Sequence, residues 1–467
     1  MKQHCTRRHL LQGMGLAGSA YLLRDVMPAF ATGPDFDPDK APLLIVCSFD
    51  GGWDQLLGLD PRNNTLFGAD SAIYPAYDLL AQGNPTMSQT LASTEGTGLI
   101  KPDGSNITFG PCVGRLADHF EDLCVVRGVN MGTLTHEVGK RYFNTGKFPR
   151  GLAANGSSLG TWQADQTGDN SPIPNLAVGT ESYNEGLANF ATGLSIKQPN
   201  DLLTVLTQLG VPLNEVGSGA IADYLWTQKC GDLLYDNEDM VSQYLDSRNK
   251  ALVLSSGDLA QYFTFIKNTK SQSILDLYST LNINTSSNQL FSKDIAGGKG
   301  QAAIAAQAIT QGLSQAVSVR LVTGIDYYDD DYQSLHATAL QTGFDALGDL
   351  ITFLKNTEDS NGSVYWERTT ILCVSEFART PKLNVRGGRD HHLSSSCLVA
   401  GNGIRGNWVV GGTRDEDFSA YLIDPGTGAT VENGIAIRPP DIHATLLKGM
   451  GLSYDHISNQ QPQIISS

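Results

Sequence analysis

Carboxylate and imidazole side chains follow four apolar runs of this chain, and they are the residues best suited to chemistry. They are Asp50; Asp326 with His336; Glu376; and Asp390 with His391. Because the carboxyl ends of parallel strands open onto one crevice, these side chains are expected to meet. Together they suit one or two divalent ions: zinc, manganese, magnesium or calcium. Such ions clamp the attacking and leaving oxygens of a displacement at phosphorus or sulfur.

A hydroxyl nucleophile is predicted beyond another apolar run. Residues 131–146, MGTLTHEVGKRYFNTG, begin with small and hydroxyl residues and continue with helical spacing, which places Thr133, Thr135 and His136 near a helix start. A helix N-terminus stabilises an attacking oxyanion and binds anionic groups. The alternative is that Thr133 or Thr135 only caps the helix, with Glu137 nearby.

Each of these signals also has a purely structural interpretation. Asp50 with the two glycines after it is also the pattern of a capped turn. The acidic stretch 326–331 is typical of a solvated loop. A lone histidine is more often structural than metal-binding, whereas the adjacent Asp, His and His at 390–392 are a more specific metal signal.

Hydrophobic periodicity predicts the elements that position these residues. Short apolar runs bounded by turn residues predict buried strands at 43–49, 123–129, 318–323, 369–374 and 398–400. Helical spacing predicts helices at 76–81, 113–120, 301–317, 336–355 and 442–450. This alternation predicts an α/β fold, a doubly wound and mostly parallel sheet with a helical insertion.

Composition divides the chain into four segments. Residues 1–31 contain adjacent arginines, a short apolar stretch and a small-residue sequence at 29–31, which match a twin-arginine signal peptide. Residues 32–150 and 301–467 are predicted to form the α/β core, and residues 151–300 a helical insertion or cap without strong strands. No later run is apolar enough to cross a membrane. The mature protein is therefore expected in the periplasm or outside the cell.

Charge and cysteine content restrict the function classes. The formal net charge of −16 disfavours a nucleic-acid partner, which needs a basic face. It is compatible with an anionic substrate, a small molecule or a polysaccharide ester, because a bound metal reverses the local potential. Cys47 and Cys373 lie in apolar runs and are predicted core residues, while Cys112 and Cys124 are candidates for a disulfide. The oligomeric state is left open.

The order of the motifs resembles the domain of unknown function 1501 family. The shared motifs are the twin-arginine start, FDGGWD, THEVGKRYFNTG, GID before a histidine and a long helix, SEFAR, and RDHH followed by a strand and GNGIRG. The resemblance spans nearly the whole mature chain and is weakest across the helical middle. That family is a distant relative of alkaline phosphatases, sulfatases and cofactor-independent phosphoglycerate mutases, which implies an alkaline-phosphatase-like fold.

The resemblance implies roles for matching residues. Thr135 takes the position of the nucleophile, and Asp50, Asp326, Glu376 and His391 take those of metal ligands. The chain departs from the superfamily pattern in three ways: Tyr328 replaces a common histidine and leaves His336 as its substitute, Glu376 and Phe377 replace an Asp-His pair, and threonine replaces serine at 135. The candidate catalytic residues are Thr135, His136, Arg141 and Arg379; the candidate metal ligands are Asp50, Asp326, His336, Glu376, Asp390 and His391.

Two main hypotheses follow. In the first, the protein is an exported metal-dependent hydrolase of phosphate or sulfate esters, in which Thr135 attacks, the metal stabilises the developing charge, and Arg141 and Arg379 hold the anionic group unless they are salt-bridge arginines. In the second, it is a non-catalytic cell-surface or periplasmic binding protein with a degraded metal site. A third possibility is a purely structural metal, whose chelation lowers stability without loss of activity.

Overall fold

The computed structural model describes residues 41–168, 171–198, 201–202, 272–283, 297–454 and 457. The predicted signal peptide lies outside these residues, as do residues 203–271 and 284–296 of the helical insertion predicted at 151–300. In the described part, no helix is both long and apolar enough to cross a membrane.

One large sheet organises the described residues. The strands are β1 (Leu43–Phe49), β2 (Leu123–Asn130), β3 (Asn175–Val178), β4 (Leu194–Ile196), β5 (Ala316–Val322), β6 (Thr369–Val374), β7 (Ala378–Arg379), β8 (His391–His392), β9 (Ser394–Gly401), β10 (Trp408–Gly411), β11 (Leu422–Ile423) and β12 (Thr430–Val431). Eight of them form the sheet in the order β10-β2-β9-β6-β1-β5-β3-β4. Seven strands are parallel, and β9 runs antiparallel to β6 and β2.

Helices cover both faces of this sheet. They are α1 (Tyr77–Ala81), α2 (Pro85–Ser93), α3 (His136–Thr145), α4 (Leu159–Thr167), α5 (Gln272–Thr280), α6 (Gly298–Thr310), α7 (Ala337–Lys355) and α8 (Pro439–Gly449). One apolar cluster holds the buried sides of α6 and α7, and a second, on the opposite face, holds those of α3, α4 and α8. The predicted doubly wound, mostly parallel α/β fold is therefore confirmed.

Strand β1 shows why a continuous apolar run predicts a doubly covered strand. Its alternate residues Leu43, Ile45 and Cys47 belong to the cluster with α6 and α7, while Leu44 belongs to the opposite cluster. The predicted bounds of β1 and β6 match the structure, and Cys47 pairs with Cys373 in the buried core.

The disulfide prediction is wrong. Cys112 and Cys124 are both free and buried. Cys112 belongs to the cluster on the face of α6 and α7, whereas Cys124 belongs to the cluster on the opposite face. The two thiols therefore point into different layers of the fold.

The sheet extends further into the chain than the sequence indicated. Strands β3 and β4 lie within the stretch predicted to contain only helices and loops, and they form one edge of the sheet. They have only four and three residues, too few to show a periodicity. Helix α6 also ends at Thr310, before the predicted 317, because the residues from Ala316 onward pair with β1 and β3.

Helix α8 packs against α3 through a buried histidine. His443 is completely buried, and its Nε2–H donates to the carbonyl of Phe143 at 2.6 Å. Burial lowers the pKa of His443 to about 4. The imidazole is therefore neutral in the folded protein at physiological pH.

Acidification is expected to destabilise the fold through His443. In the unfolded chain His443 binds a proton below about pH 6.5, whereas in the folded protein it remains neutral down to about pH 4. The free energy of unfolding should therefore be unaffected by His443 above about pH 7 and fall by about 3 kcal/mol between pH 6.5 and 4. Urea unfolding at a series of pH values measures this loss.

The variant His443→Gln is the control for this prediction. Glutamine keeps a donor for the Phe143 carbonyl but does not titrate, so the variant should lose less stability on acidification than the wild type. Equal losses in the two proteins would show that His443 is not the cause.

Candidate metal centre

Two strand-end turns meet behind the candidate site. The N–H of Asp50, directly after β1, donates to the carbonyl of Val322 at 2.9 Å. The next residue, Gly51, has a φ of +124°, and a Cβ there would lie 2.7 Å from the backbone nitrogen of Asp326. Glycine permits this close approach. The ends of β1 and β5 are therefore in contact, which carries Asp326 into the site.

Helix α3 lies directly against the turn that follows β6. A Cβ added at Gly139 would lie 2.4 Å from the carbonyl oxygen of Glu376. This contact brings His136, in the first turn of α3, to the Glu376 side chain, with Nδ1 2.7 Å from Oε1. Glu376 is buried and also accepts a hydrogen bond from the N–H of Gly51 at 2.9 Å.

The two-stranded ribbon of β7 and β8 supplies the third side of the site. His391 pairs with Arg379 across this ribbon. The Nδ1–H of His391 donates to the carbonyl of Leu134 at 2.7 Å, and its Nε2 lies 3.2 Å from Oδ1 of Asp326. The SEFAR motif at 375–379 and the RDHH motif at 389–392 thus form one structural unit.

His136, Asp326 and His391 form a cluster whose ligand atoms all lie within 4.8 Å of one another. Nε2 of His136 lies 3.2 Å from Oδ2 of Asp326, and Nε2 of His391 lies at the same distance from Oδ1. Both Nδ1 atoms face hydrogen-bond acceptors. In the neutral rings, both Nε2 lone pairs therefore face a carboxylate, an arrangement that requires a cation: protons on the rings or a metal ion.

The cluster fits a borderline divalent ion. Two ligands of one tetrahedral zinc ion lie about 3.3 Å apart, close to the 3.2 Å between each imidazole Nε2 and the Asp326 oxygen that it faces. Two imidazoles and one carboxylate form a known catalytic zinc ligand set that leaves a position open. Magnesium and calcium prefer oxygen ligands. The hydrogen bond from His136 to Glu376 is typical of the outer partners that orient metal-bound histidines.

Local charges keep the carboxylates of Asp326 and Glu376 ionised. Burial alone would raise the pKa of Asp326, but hydrogen bonds from Arg379 and His391 outweigh it and lower this pKa. Burial likewise opposes the ionisation of Glu376, whose pKa is nevertheless lowered by its hydrogen bond with His136 and by the charge of Lys140. Burial alone would lower the pKa of His136, but Glu376 and Asp326 outweigh it and raise this pKa. Both carboxylates are therefore ionised at neutral pH and favour a cation.

Asp50, predicted as the first metal ligand, lies outside this cluster. Its Oδ2 is 3.1 Å from Nζ of Lys140 and 3.4 Å from Nη1 of Arg320. Lys140 also approaches Oε1 of Glu376 at 4.0 Å. Two fixed cations therefore already neutralise Asp50. Sequence reasoning missed both, although Lys140 lies four residues after His136 and hence on the same helix face.

Three further predicted metal ligands take other positions. Glu376 contacts Nδ1 of His136, the position that an orienting partner of a metal-bound histidine takes. His336 is completely buried, and its Nε2 accepts a hydrogen bond from the N–H of Asp54 at 3.1 Å. Asp390 is exposed and accepts a hydrogen bond from Asn384 at 3.1 Å. His336 and Asp390 thus lie outside the cluster, which instead contains His136.

The predicted catalytic residues differ in the contacts that their side chains make. Thr135 is exposed at the N-cap of α3, and its side chain makes no capping hydrogen bond, so the purely capping interpretation does not account for its hydroxyl. Arg141 forms a bidentate pair with Glu181, as in the salt-bridge alternative. Arg379 is completely buried and holds Asp326, with Nη2 2.7 Å from Oδ1. Both guanidinium groups already have carboxylate partners.

Phe377 forms an apolar wall beside the cluster. Its ring centroid lies 4.6 Å from that of His136 and 4.2 Å from that of His391. The residue that replaces the expected histidine therefore packs against both imidazoles. Such an apolar shell limits the access of water and restricts the rotation of the rings.

Comparisons with known proteins agree with part of the predicted resemblance. A family model described as "Protein of unknown function (DUF1501)" matches residues 261–462, which include GID, SEFAR and RDHH but not FDGGWD or THEVGKRYFNTG. No curated protein matches the chain.

Solved structures with similar architecture are phosphatases and sulfatases of low identity. The alkaline phosphatase from the Antarctic bacterium TAB5 is 13% identical, with a TM-score of 0.33 and coverage of 88% of this chain and 99% of that one. PsFucS1 sulfatase from Pseudoalteromonas sp. is 11% identical, with a TM-score of 0.34 and coverage of 88% and 68%. A protein in the alkaline phosphatase superfamily from Vibrio parahaemolyticus is 10% identical, with a TM-score of 0.32 and coverage of 99% and 78%.

Proposed function

We propose that the protein is an exported metal-dependent hydrolase of phosphate or sulfate esters that uses one divalent ion held by His136, Asp326 and His391. The observation that carries this proposal is the pair of imidazole Nε2 atoms, each 3.2 Å from an oxygen of the Asp326 carboxylate. The ligand types favour zinc, with manganese as the next candidate.

The surrounding residues support ester hydrolysis. A bound divalent ion supplies positive charge where negative charge develops in the transition state. Thr135, one residue before His136, offers an exposed hydroxyl at the N-terminus of α3. That helix end stabilises negative charge through its free N–H groups and its dipole. The consecutive residues Thr135 and His136 thus place the hydroxyl and one ligand of the ion at the same helix end.

Lys140 and Arg320 support a centre with one ion. In a two-metal displacement site, the second ion neutralises carboxylates beside the first. Here Lys140 and Arg320 neutralise Asp50, and Lys140 also approaches Glu376. The fixed cations therefore perform the charge compensation of a second ion, and one ion per chain is expected.

The experiment is ester hydrolysis by the purified mature chain loaded with zinc or manganese. We expect chelator-sensitive release of 4-nitrophenol from 4-nitrophenyl phosphate or 4-nitrophenyl sulfate. The variant Thr135→Val should keep the metal and lose this activity, because valine preserves the side-chain shape without the hydroxyl. Thr342→Val, on the exposed face of α7, is the matched control.

Two residues favour a second candidate, a non-catalytic binding protein. Phe377 places an apolar ring where a histidine was expected. Arg379, predicted to bind the anion, is paired with Asp326. Stoichiometric metal without hydrolysis of either ester would support this candidate. An active Thr135→Val variant would exclude Thr135 as the nucleophile.

A further inference from the structure

The guanidinium of Arg379 lies behind the metal cluster, among the turns that carry its ligands. Arg379 is in β7 and pairs across the ribbon with the metal ligand His391. Its side chain is completely buried. A buried guanidinium has no surface for a substrate, so it affects the reaction only through the groups that it holds.

This guanidinium donates hydrogen bonds to the backbone of three separate segments. In the turn after β1, Nε donates to the carbonyl of Gly52 at 2.9 Å, and Nη2 donates to that of Gly51. In the turn after β5, Nη2 also donates to the carbonyl of Ile325 at 3.3 Å. In the ribbon, Nη1 donates to the carbonyl of Arg389 at 3.1 Å. One planar group therefore holds the two turns and the ribbon together.

The turn after β1 is shaped to receive this guanidinium. Gly52 has a φ of +78°, and a Cβ there would lie 3.2 Å from Nε of Arg379 and 2.6 Å from the ring of Phe377. Only glycine permits this approach without strain. The next residue, Trp53, forms a parallel bridge with Ala378. The FDGGWD and SEFAR motifs are thus packed directly against each other.

The same guanidinium engages one oxygen of the Asp326 carboxylate. Nη2 lies 2.7 Å from Oδ1, whereas Oδ2 lies 3.2 Å from Nε2 of His136. The side chain of Asp326 is 41% exposed and that of Arg379 is not exposed, so the guanidinium approaches from the interior of the protein. A charge-assisted hydrogen bond of this length fixes the orientation of the carboxylate.

Arginine suits this position better than lysine does. Its planar guanidinium presents five N–H donors in a rigid fork, whereas the ammonium of lysine is a single point charge on a flexible stem. Only the fork reaches the carbonyl of Gly52 through Nε and Oδ1 of Asp326 through Nη2 at the same time. Positive charge alone does not reproduce these contacts.

We infer that Arg379 is a positioning residue of the metal centre, which keeps Asp326 on the ion through Oδ2 alone. This inference rests on the proposed metal-dependent function. A carboxylate that binds through both oxygens takes two coordination positions, but Asp326 takes one because Arg379 holds Oδ1. Together with His136 and His391, it gives three protein ligand atoms, which leaves one position of a tetrahedral ion open for the substrate.

Cobalt(II) spectroscopy and zinc affinity test the inference. The metal-free mature protein is loaded with cobalt, whose visible absorption is stronger in four-coordinate than in six-coordinate sites, and zinc affinity is measured by competition with a chromophoric chelator. Arg379→Met frees Oδ1 and lets Asp326 take a second position. We expect weaker cobalt absorption and an affinity for zinc lowered about 10- to 100-fold, as for other outer partners of metal ligands.

Arg127→Met is the matched control. Arg127 also donates to two backbone carbonyls, those of Leu59 and Thr108, both at 2.7 Å, and its Nε lies 3.5 Å from Oδ1 of Asp60. None of these groups belongs to the metal cluster. The control variant should therefore lose stability in urea but keep the cobalt spectrum and the zinc affinity of the wild type.

Arg379→Lys keeps a positive charge beside Asp326 and provides the test if Arg379→Met does not fold. It should also show weaker cobalt absorption and lower zinc affinity, because lysine lacks the fork. A wild-type spectrum and affinity in either Arg379 variant would overturn the positioning role and leave the metal centre intact. Failure of the wild type to bind cobalt or zinc would overturn the metal centre and this inference together. Neither measurement depends on ester hydrolysis.

Discussion

The substitution His391→Ala is expected to lower zinc affinity by at least about 100-fold. His391 contributes one of the two imidazole Nε2 atoms that face Asp326. Loss of an outer partner of a metal ligand already costs about 10- to 100-fold in affinity, and loss of the ligand itself costs more. Competition with a chromophoric chelator at fixed pH measures the affinity.

The adjacent histidine is the matched control. His392 points away from the cluster, with its ring 6.1 Å from that of Phe418 and its Nδ1 accepting a hydrogen bond from the N–H of Ser394 at 3.2 Å. His392→Ala should therefore keep zinc affinity near that of the wild type. Equal losses in the two variants would indicate a general effect on the β7–β8 ribbon and would contradict the proposed ligand set.

Glu376→Gln separates the two roles considered for Glu376. If Glu376 only orients His136, its replacement should lower zinc affinity about 10- to 100-fold, less than the His391→Ala substitution does. A direct ligand, as the family resemblance implied, should cost as much as His391. The same competition assay therefore tests whether the structure has corrected the predicted role.

Much of the sheet was predictable because its central strands are local features. All residues of β6 and most residues of β1 are buried. Both strands therefore appear in the sequence as apolar runs, and these runs predicted the observed bounds. Asp326 and His391 were also identified, since acids and histidines after such runs lie at the ligand-binding edge. The local sequence pattern was thus sufficient to predict the strands and the residues that directly follow them.

The pairing of charged groups was not predictable, because it depends on contacts between distant segments. Lys140 meets Asp50 across 90 positions of sequence and Arg320 meets it across 270. Glu376 was placed correctly at a strand end, but its role as an orienting partner follows from the packing of α3 at Gly139. Nor does local sequence show that Arg379 and Arg389 are completely buried, because the segments that cover them are distant in the chain.

Arg389→Met is expected to lower the free energy of unfolding by about 3 to 5 kcal/mol, because it leaves a buried acid without its charged partner. Nε of Arg389 lies 2.9 Å from Oδ2 of Asp54, and both side chains are at most 1% exposed. The guanidinium also donates to Tyr332 Oη and to the carbonyls of Thr380, Tyr74 and Pro75. Urea unfolding of the metal-free protein measures the loss without a contribution from metal binding.

An ion pair with a half-exposed arginine shows whether burial of the guanidinium is the cause. Arg115 pairs with Asp349 at 2.7 Å, and the side chain of Arg115 is 51% exposed although that of Asp349 is only 9% exposed. Because water reaches this pair from the side of the guanidinium, Arg115→Met should cost less than Arg389→Met. The double variant Arg389→Met with Asp54→Asn should lose less than the sum of the single variants, because it no longer leaves an unpaired charge in the core. Similar losses for Arg389→Met and Arg115→Met would contradict the assignment of Arg389 to a buried network.

The backbone carbonyl of Arg389 accepts a hydrogen bond from Arg379 at 3.1 Å, so loss of this network should also loosen His391, two residues away, and weaken metal binding.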